Sequence, residues 1–327
     1  MIARIRASVV MPVYNAERYI ELAVRSALAS DLGDFEVLVV DDGSKDRSVE
    51  VVAGIGDPRV VIVRLRPSGR PSRPRNVGIA RARAPYVAFL DADDLIKPDK
   101  LSSAVAALDG HPEAGFAFAD FERIDAHGVV IEPSAIAGYH AFRQIVTAPV
   151  GGSWYLVPQS TLARALLFEN FVGTSGVVLR KDLLIDIGPF DDTIVYSEDR
   201  DLWFRLAHRC GALYWDHIGH SYRVSPGSLT YGPAIRNARH RITVLQRERE
   251  RWSDYAARRQ VDRLIAENLA TIGYEQRLRR HRLGAIAMFA QAFATSPEFR
   301  WLRGLLGSIV SSERDHANGK AMGADGL

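Results

Sequence analysis

One cysteine occurs in 327 residues, so no internal disulfide is available to the fold. Cys210 falls in a stretch that reads as amphipathic helix, where a thiol serves as a small buried apolar group. Long apolar runs are missing as well. No stretch reaches eighteen apolar residues, and a transmembrane helix is not expected. Met1-Ile2-Ala3-Arg4-Ile5-Arg6 passes straight into a strand pattern, leaving no room for a signal peptide, so the expected location is cytoplasmic. Neither sign of charge dominates, the formal net charge being +3. No segment repeats at a fixed period. Glycine is absent where a dinucleotide site needs it, because the first strand runs into Pro12-Val13-Tyr14-Asn15-Ala16-Glu17.

What is there is an ordinary globular composition, 47% hydrophobic and 25% charged, long enough for one large domain and an appendage. Strand patterns at Ser8 to Val13, Phe35 to Val40, Val60 to Leu65 and Tyr86 to Leu90 alternate with helical ones over short connections. That order implies right-handed crossovers and a mainly parallel α/β sheet. Glu17 to Ser30 puts Ile20, Ala23, Val24, Ala27 and Leu28 on one helix face, with Asn15 as its N-cap. Beyond Leu108 the pattern loosens. Phe116 to Asp120 and Val129 to Ile131 read as strands around a turn, Tyr139 to Gly152 as a loop or lid, and Asp199 to Arg209 as a helix. From Ala234 to Val310 the signal is helical throughout, and Ser311 to Leu327 reads as a frayed tail.

Three constellations carry chemistry. Asp91-Ala92-Asp93-Asp94 follows the buried strand Tyr86 to Leu90, and the crevice beyond strand carboxyl ends is where open α/β sheets bind ligands. Hard oxygens clustered there suit Mg²⁺ or Mn²⁺ with a phosphorylated substrate; in the alternative, Asp94 caps the helix Lys97 to Leu108 and the others are solvated. Asp41-Asp42-Gly43-Ser44 ends the second strand, as a nucleoside contact or as a turn with a cap. Between them, Ser68 to Gly78 is a basic loop entering a helix near Arg75, placed to clamp a diphosphate.

Taken in order, Val9-Val10-Met11-Pro12-Val13-Tyr14-Asn15, Val39-Val40-Asp41-Asp42-Gly43-Ser44, Arg75-Asn76-Val77-Gly78 and Phe89-Leu90-Asp91-Ala92-Asp93-Asp94 resemble the family 2 glycosyltransferases, inverting enzymes of the GT-A fold. The resemblance continues through Gly173-Thr174-Ser175-Gly176, Gly188-Pro189-Phe190-Asp191, Glu198-Asp199-Arg200-Asp201-Leu202-Trp203 and Tyr222-Arg223-Val224-Ser225-Pro226-Gly227-Ser228. Covering about residues 5 to 230, it implies a Rossmann-like, mixed but mainly parallel sheet flanked by helices, to which the helical pattern beyond Ala234 adds a C-terminal appendage. The implied division is a catalytic domain over residues 1–232, an arginine-rich helical region over 233–310 and a tail over 311–327.

The resemblance also implies roles. Pro12, Tyr14 and Glu17 would line the nucleoside pocket, Asp42 with Asp41 would contact the base, and Arg75 would approach the diphosphate. Asp94 would be the main ligand of Mg²⁺ or Mn²⁺, with Asp93 beside it facing the ribose or the metal, and Asp91 nearby. Asp199 would be the general base and Glu198 would position the acceptor; the same acids also suit a helix start. Many relatives carry histidine where this chain has Ser225, a weaker ligand. Trp203 reads as core, and His217 and His220 as structural or surface groups. Thr174 and Ser175 either hydrogen-bond the donor sugar or end a loop.

The expected partners are a nucleotide-diphosphate sugar, UDP-linked, and a saccharide or lipid-linked acceptor in polysaccharide or cell-envelope glycan assembly. A processive polymerase is not expected, for want of transmembrane helices and a Gln-x-x-Arg-Trp motif. A nucleotidyltransferase lacks its glycine-rich loop here, and a non-catalytic sugar-nucleotide scaffold would have lost the acids. Arginines such as Arg247, Arg249, Arg258 and Arg277, with Phe293, Phe299 and Trp301, suit either an anionic membrane at the inner face of the plasma membrane or a solvated helical layer. With few aromatics and no nucleic-acid motif, a nucleic-acid partner is not expected.

Overall fold

The computed structural model describes residues 5–224 and 234–309. The chain divides into two compact units, residues 1–226 and 227–327. In the first, the elements are β1 (Ala7–Val13), α1 (Ile20–Leu28), β2 (Phe35–Asp41), α2 (Ser48–Ile55), β3 (Val60–Arg64), α3 (Ser72–Arg81), β4 (Tyr86–Phe89), β5 (Leu95–Ile96), α4 (Lys100–Gly110) and β6 (Ala114–Ile124). There follow β7 (Val130–Glu132), α5 (His140–Ile145), β8 (Ala148–Gly151), β9 (Trp154–Val157), α6 (Gln159–Phe168), β10 (Val178–Arg180), α7 (Leu183–Ile187), α8 (Glu198–Ala207) and β11 (Gly211–Arg223).

The sheet order is β3-β2-β1-β4-β10-β6-β11-β9-β8, with β5 on β11 and β7 on β6. Strands β3, β2, β1 and β4 are parallel; β10 is antiparallel to both β4 and β6; β6 and β11 are again parallel. Every residue of β2 is buried, as the near-continuous apolar runs of a parallel sheet covered on both faces require. Helix α1 buries Ile20, Ala23, Val24 and Ala27, one apolar stripe at helical spacing. Helix α3 lies close on the sheet because Gly78 has no side chain: a Cβ there would sit 2.3 Å from Val10 Cγ1. Strand β1 is flanked by β2 and β4, so connections leave it in opposite directions, and a crevice opens at its carboxyl end.

Several boundaries differ from the sequence reading. Helix α1 begins at Ile20, and Asn15 does not cap it. Asn15 adopts φ 49° and its Oδ1 accepts from Lys45 N at 2.8 Å, tying the loop after β1 to the loop after β2. Helix α4 starts at Lys100 with Asp99 at its cap position, so Asp94 is not a cap. The supposed lid over Tyr139 to Gly152 contains α5 and β8, the latter paired with β9. Cys210 lies between α8 and β11 rather than within a helix; burial pushes its thiol up to about 11, which disfavours the thiolate. Lys100 is fully buried, its Nζ 5.8 Å from the Trp154 ring and 6.0 Å from the Trp215 ring.

The second unit contains α9 (Ala234–Arg251), α10 (Tyr255–Leu278) and α11 (Arg282–Thr295), followed by helix over 299–309. The expected single helical run is thus broken at three turns. Asp254 starts α10 by accepting from Ala256 N and Ala257 N, a side-chain cap for otherwise unpaired donors. Helices α10 and α11 pack through Phe289, which faces the bare Cα of Gly273. Arg249 pairs with Asp262, and Arg300 with Glu267 and Glu298. No described helix is long and apolar enough to cross a membrane. Ser225 and the tail 311–327 lie outside the described residues.

Candidate functional site

The carboxyl ends of β1 and β2 form one wall of the crevice. Asp41 Oδ1 accepts from Ser44 N at 3.1 Å, closing a turn in which Gly43 takes φ 78°. The Asp42 carboxylate is buried and accepts from Ser68 N at 3.0 Å, Ser68 Oγ at 2.8 Å and Gly69 N at 3.1 Å. It therefore pins the basic loop that precedes α3. Pro12 is half-buried, Tyr14 is 53% exposed, and Glu17 accepts from Arg47 N at 3.0 Å. The wall thus offers an open aromatic ring beside a loop fixed by acids.

The acidic cluster sits just beyond β4. Asp94 is 1% exposed; its Oδ2 accepts from Ser175 Oγ at 2.5 Å and its Oδ1 from Arg223 N at 2.8 Å. Arg223 also donates from Nε to the Asp93 carbonyl at 2.8 Å, so the end of β11 is tied to the cluster. Burial and then the negative charge of Asp91 push Asp93 up to about 6. Asp94 is raised well above the usual carboxylate range by burial, then by Asp93 and Asp91. Like charges this close resist ionising together.

Arg75 joins this cluster to a second one. From α3 its buried guanidinium donates Nη2 to Asp91 Oδ1 at 2.7 Å and Nη1 to Glu198 Oε1 at 2.7 Å. Burial opposes its charge, but Asp91 and Glu198 outweigh burial and hold it protonated. The guanidinium also lies 5.3 Å from the centre of the Phe190 ring. Neighbouring Asn76 fixes that loop, donating to Phe190 O at 2.8 Å and accepting from Phe190 N at 3.0 Å. Both guanidinium edges used here face protein carboxylates.

Glu198 and Asp199 open α8. The preceding Ser197 takes φ 63°, a left-handed conformation that costs a serine about 1–3 kcal/mol and redirects the chain at the helix start. Burial pushes Glu198 up to about 7; Arg75 opposes that and Asp199 adds to it. Asp199 is half-buried and accepts from Thr174 Oγ1 at 3.3 Å. One acid is therefore buried and hydrogen-bonded to Arg75, while its neighbour keeps access to solvent. A carboxyl poised near neutrality beside an accessible carboxylate is suited to proton transfer.

Of the acids singled out from sequence, Asp91 and Glu198 are joined through Arg75 and Asp94 is tied to β11, while Glu17, Asp41 and Asp42 hold the loops at the ends of β1 and β2. Ser175, read as a donor-sugar contact or the end of a loop, lies on a single 3-10 turn over Thr174–Gly176 and donates to Asp94; Arg223 was quoted only inside a motif, and its role comes from β11, which carries it. Trp203 is fully buried against Phe89, Phe116 and Phe190, a core residue. His220 stacks on Phe121 at 4.8 Å, and burial pushes it down to about 3, so it stays neutral. Among the described residues no three His, Cys, Asp or Glu side chains are grouped to hold a metal ion. A cation that keeps waters and substrate phosphates as ligands needs only one or two carboxylates, however. Asp93 and Asp94, hard oxygens destabilised by mutual repulsion, fit that requirement.

Residues 8–187, more than half of the chain, match the family described as glycosyl transferase family 2. The chain belongs to glycosyl transferase family 2. An uncharacterized glycosyltransferase of Haemophilus influenzae is 36% identical over 121 residues, 35% of this chain and 48% of that protein. The chain therefore spans about half the length of that family 2 relative. The Escherichia coli protein WfgD, named UDP-Glc:alpha-D-GlcNAc-diphosphoundecaprenol beta-1,3-glucosyltransferase, is 26% identical over 225 residues, 68% of this chain and 79% of WfgD. Among solved structures, S. aureus TarS 1-349 in complex with UDP-GlcNAc superposes with a TM-score of 0.65 at 20% identity, over 96% of this chain and 92% of TarS 1-349. That similarity establishes the GT-A fold of this family 2 chain.

Proposed function

We propose that the chain is an inverting glycosyltransferase that moves a sugar from a UDP-linked donor to a saccharide or lipid-linked acceptor in cell-envelope glycan assembly. The observation that carries this reading is the Arg75 bridge: one buried cation holds Asp91 of the donor-side cluster and Glu198 of the second acid pair 2.7 Å away on either side. An inverting transfer needs those two acid sets on opposite faces of one sugar. The donor nucleoside would rest on Tyr14 and Pro12, beside Glu17 and the loop organised by Asp41 and Asp42.

Asp93 and Asp94 would hold Mg²⁺ or Mn²⁺, which when bound neutralises the leaving diphosphate. Asp199, the accessible acid, would take the proton from the acceptor hydroxyl as it attacks the anomeric carbon, while Glu198 fixes its orientation through Arg75. The likeness to WfgD, a UDP-Glc-dependent glucosyltransferase by name, and to TarS in complex with UDP-GlcNAc supports a UDP-sugar, and WfgD supports a lipid-linked diphosphate acceptor. Exposed Leu283 and Phe299 beside the arginines support peripheral attachment at the cytoplasmic membrane face.

The test is a panel of UDP-sugars with Mn²⁺, read as UDP release with and without acceptor. Asp199→Asn should abolish transfer and leave UDP binding within about twofold, since truncating a general base removes proton transfer but not donor contacts. Unchanged turnover in that variant would refute Asp199 as the base.

A further inference from the structure

The second unit, beyond the stretch matched by the family, contains a basic recess of about 470 Å³ lined by Ile235, Arg236, Arg239, His240, Thr243 and Arg279. That volume falls among small-molecule pockets, about 300–1,000 Å³. Arg236, Arg239, His240 and Thr243 recur at helical spacing, so α9 turns one face toward the recess. Arg279 reaches it from the C-terminal end of α10.

No acid is among the lining residues. Of the lining cations, Arg279 pairs with Glu275 at 3.9 Å with both side chains partly exposed, a contact worth little in water. The first turn of α9 has no acidic residue; its early cations oppose the helix dipole and repel one another. His240 is held below its usual range by burial and then by Arg236, which leaves it neutral with one N–H to donate. Three guanidinium groups and an imidazole thus line a recess that has no acid among its lining residues, while the Thr243 hydroxyl donates to the Arg239 carbonyl at 3.3 Å.

We propose that this recess binds a phosphate or diphosphate group. Guanidinium forks match phosphate oxygens geometrically, and an anion there removes the repulsion between Arg236, Arg239 and Arg279. Ile235 supplies an apolar wall for the part of the ligand next to the phosphate. The inference stands independently of donor chemistry in the first unit.

Hydrogen–deuterium exchange of the full chain, read on peptides covering residues 235–243 and 275–282, is a local readout of the second unit. Pyrophosphate should protect these peptides, and Arg236→Gln with Arg239→Gln should weaken that protection about tenfold or more, because two charge-assisted contacts are lost. Arg279→Gln, on the other helix, should act in the same direction and serves if the double variant unfolds. Vesicles of phosphatidylcholine with phosphatidylglycerol form a separate arm. Protection by pyrophosphate assigns the site to a soluble or lipid-linked diphosphate, and protection by these vesicles alone assigns it to an anionic head group. No protection in either arm, or equal protection in wild type and variants, would overturn the proposal.

Discussion

Replacing Glu198 by glutamine should flatten the dependence of stability on pH. Burial raises this carboxyl from an ordinary 4.5 to about 7, with Arg75 opposing and Asp199 assisting. Between those values the folded chain keeps a proton that the unfolded chain has released. The contribution to stability is therefore complete below the unfolded value and is lost as pH rises through the folded one. At about 1.4 kcal/mol per pH unit, the loss across that interval is about 3 kcal/mol. This is a large share of the roughly 5–15 kcal/mol by which domains are stable. Glutamine keeps the size and still accepts from Arg75, but it cannot ionise. Urea unfolding followed by tryptophan fluorescence at about pH 5 and about pH 7.5 would measure the effect. The wild-type chain should lose about 2 kcal/mol more than Glu198→Gln between the two conditions, which cover most of the titration, Asp93 contributing equally to both. Parallel losses in the two proteins would refute the assignment of a buried, proton-holding Glu198.

Arg75→Gln should destabilise the first unit by about 1–3 kcal/mol, because buried Glu198 and partly exposed Asp91 lose a charge-assisted hydrogen-bond donor, and calorimetry that shows no change would contradict the bridge. Gly78→Ala should cost about 1–3 kcal/mol by forcing a methyl onto Val10. Gly54→Ala in α2, where a Cβ meets nothing within 4 Å, should be neutral or stabilising by about 0.4–1 kcal/mol; equal melting temperatures for the two alanine variants would contradict the packing argument. Excess chelator should abolish sugar transfer and added Mn²⁺ should restore it, since Asp93 and Asp94 otherwise repel each other across the site; full activity in chelator would exclude metal dependence.

The first four parallel strands and the face of α1 were legible because a buried strand is a continuous apolar run and a covering helix repeats every three to four residues. The acids were legible because they end such runs. Strand β11 was not. Its second half, Asp216 to Arg223, is rich in polar side chains and carries register shifts between Trp215 and Ile218 and between Ile218 and His220, so no period of two survives. Two of those polar groups are satisfied inside the fold, Ser221 by Glu122 and Arg223 by the Asp93 and Asp125 carbonyls. Strand β10 was hidden by its length, three residues. The sequence reading brought Arg75 to a diphosphate, whereas its hydrogen bonds run to Asp91 and Glu198. A partner so distant along the chain leaves no local signal.

Strand β10 also dictates when the protein can be completed during synthesis. Val178 pairs with both Ala88 and Ala117, so two strands made early wait for a later one to be inserted between them. Until then β4 presents an open edge, and Asp91, Asp93 and Asp94 lack Ser175, Glu198 and Arg223. Such late, non-local closure belongs to slow folders, on a scale of about milliseconds to seconds, and leaves an unpaired edge available to other chains. A ribosome-bound chain that ends before residue 178 would carry the complete acidic cluster on an unfinished and adhesive sheet.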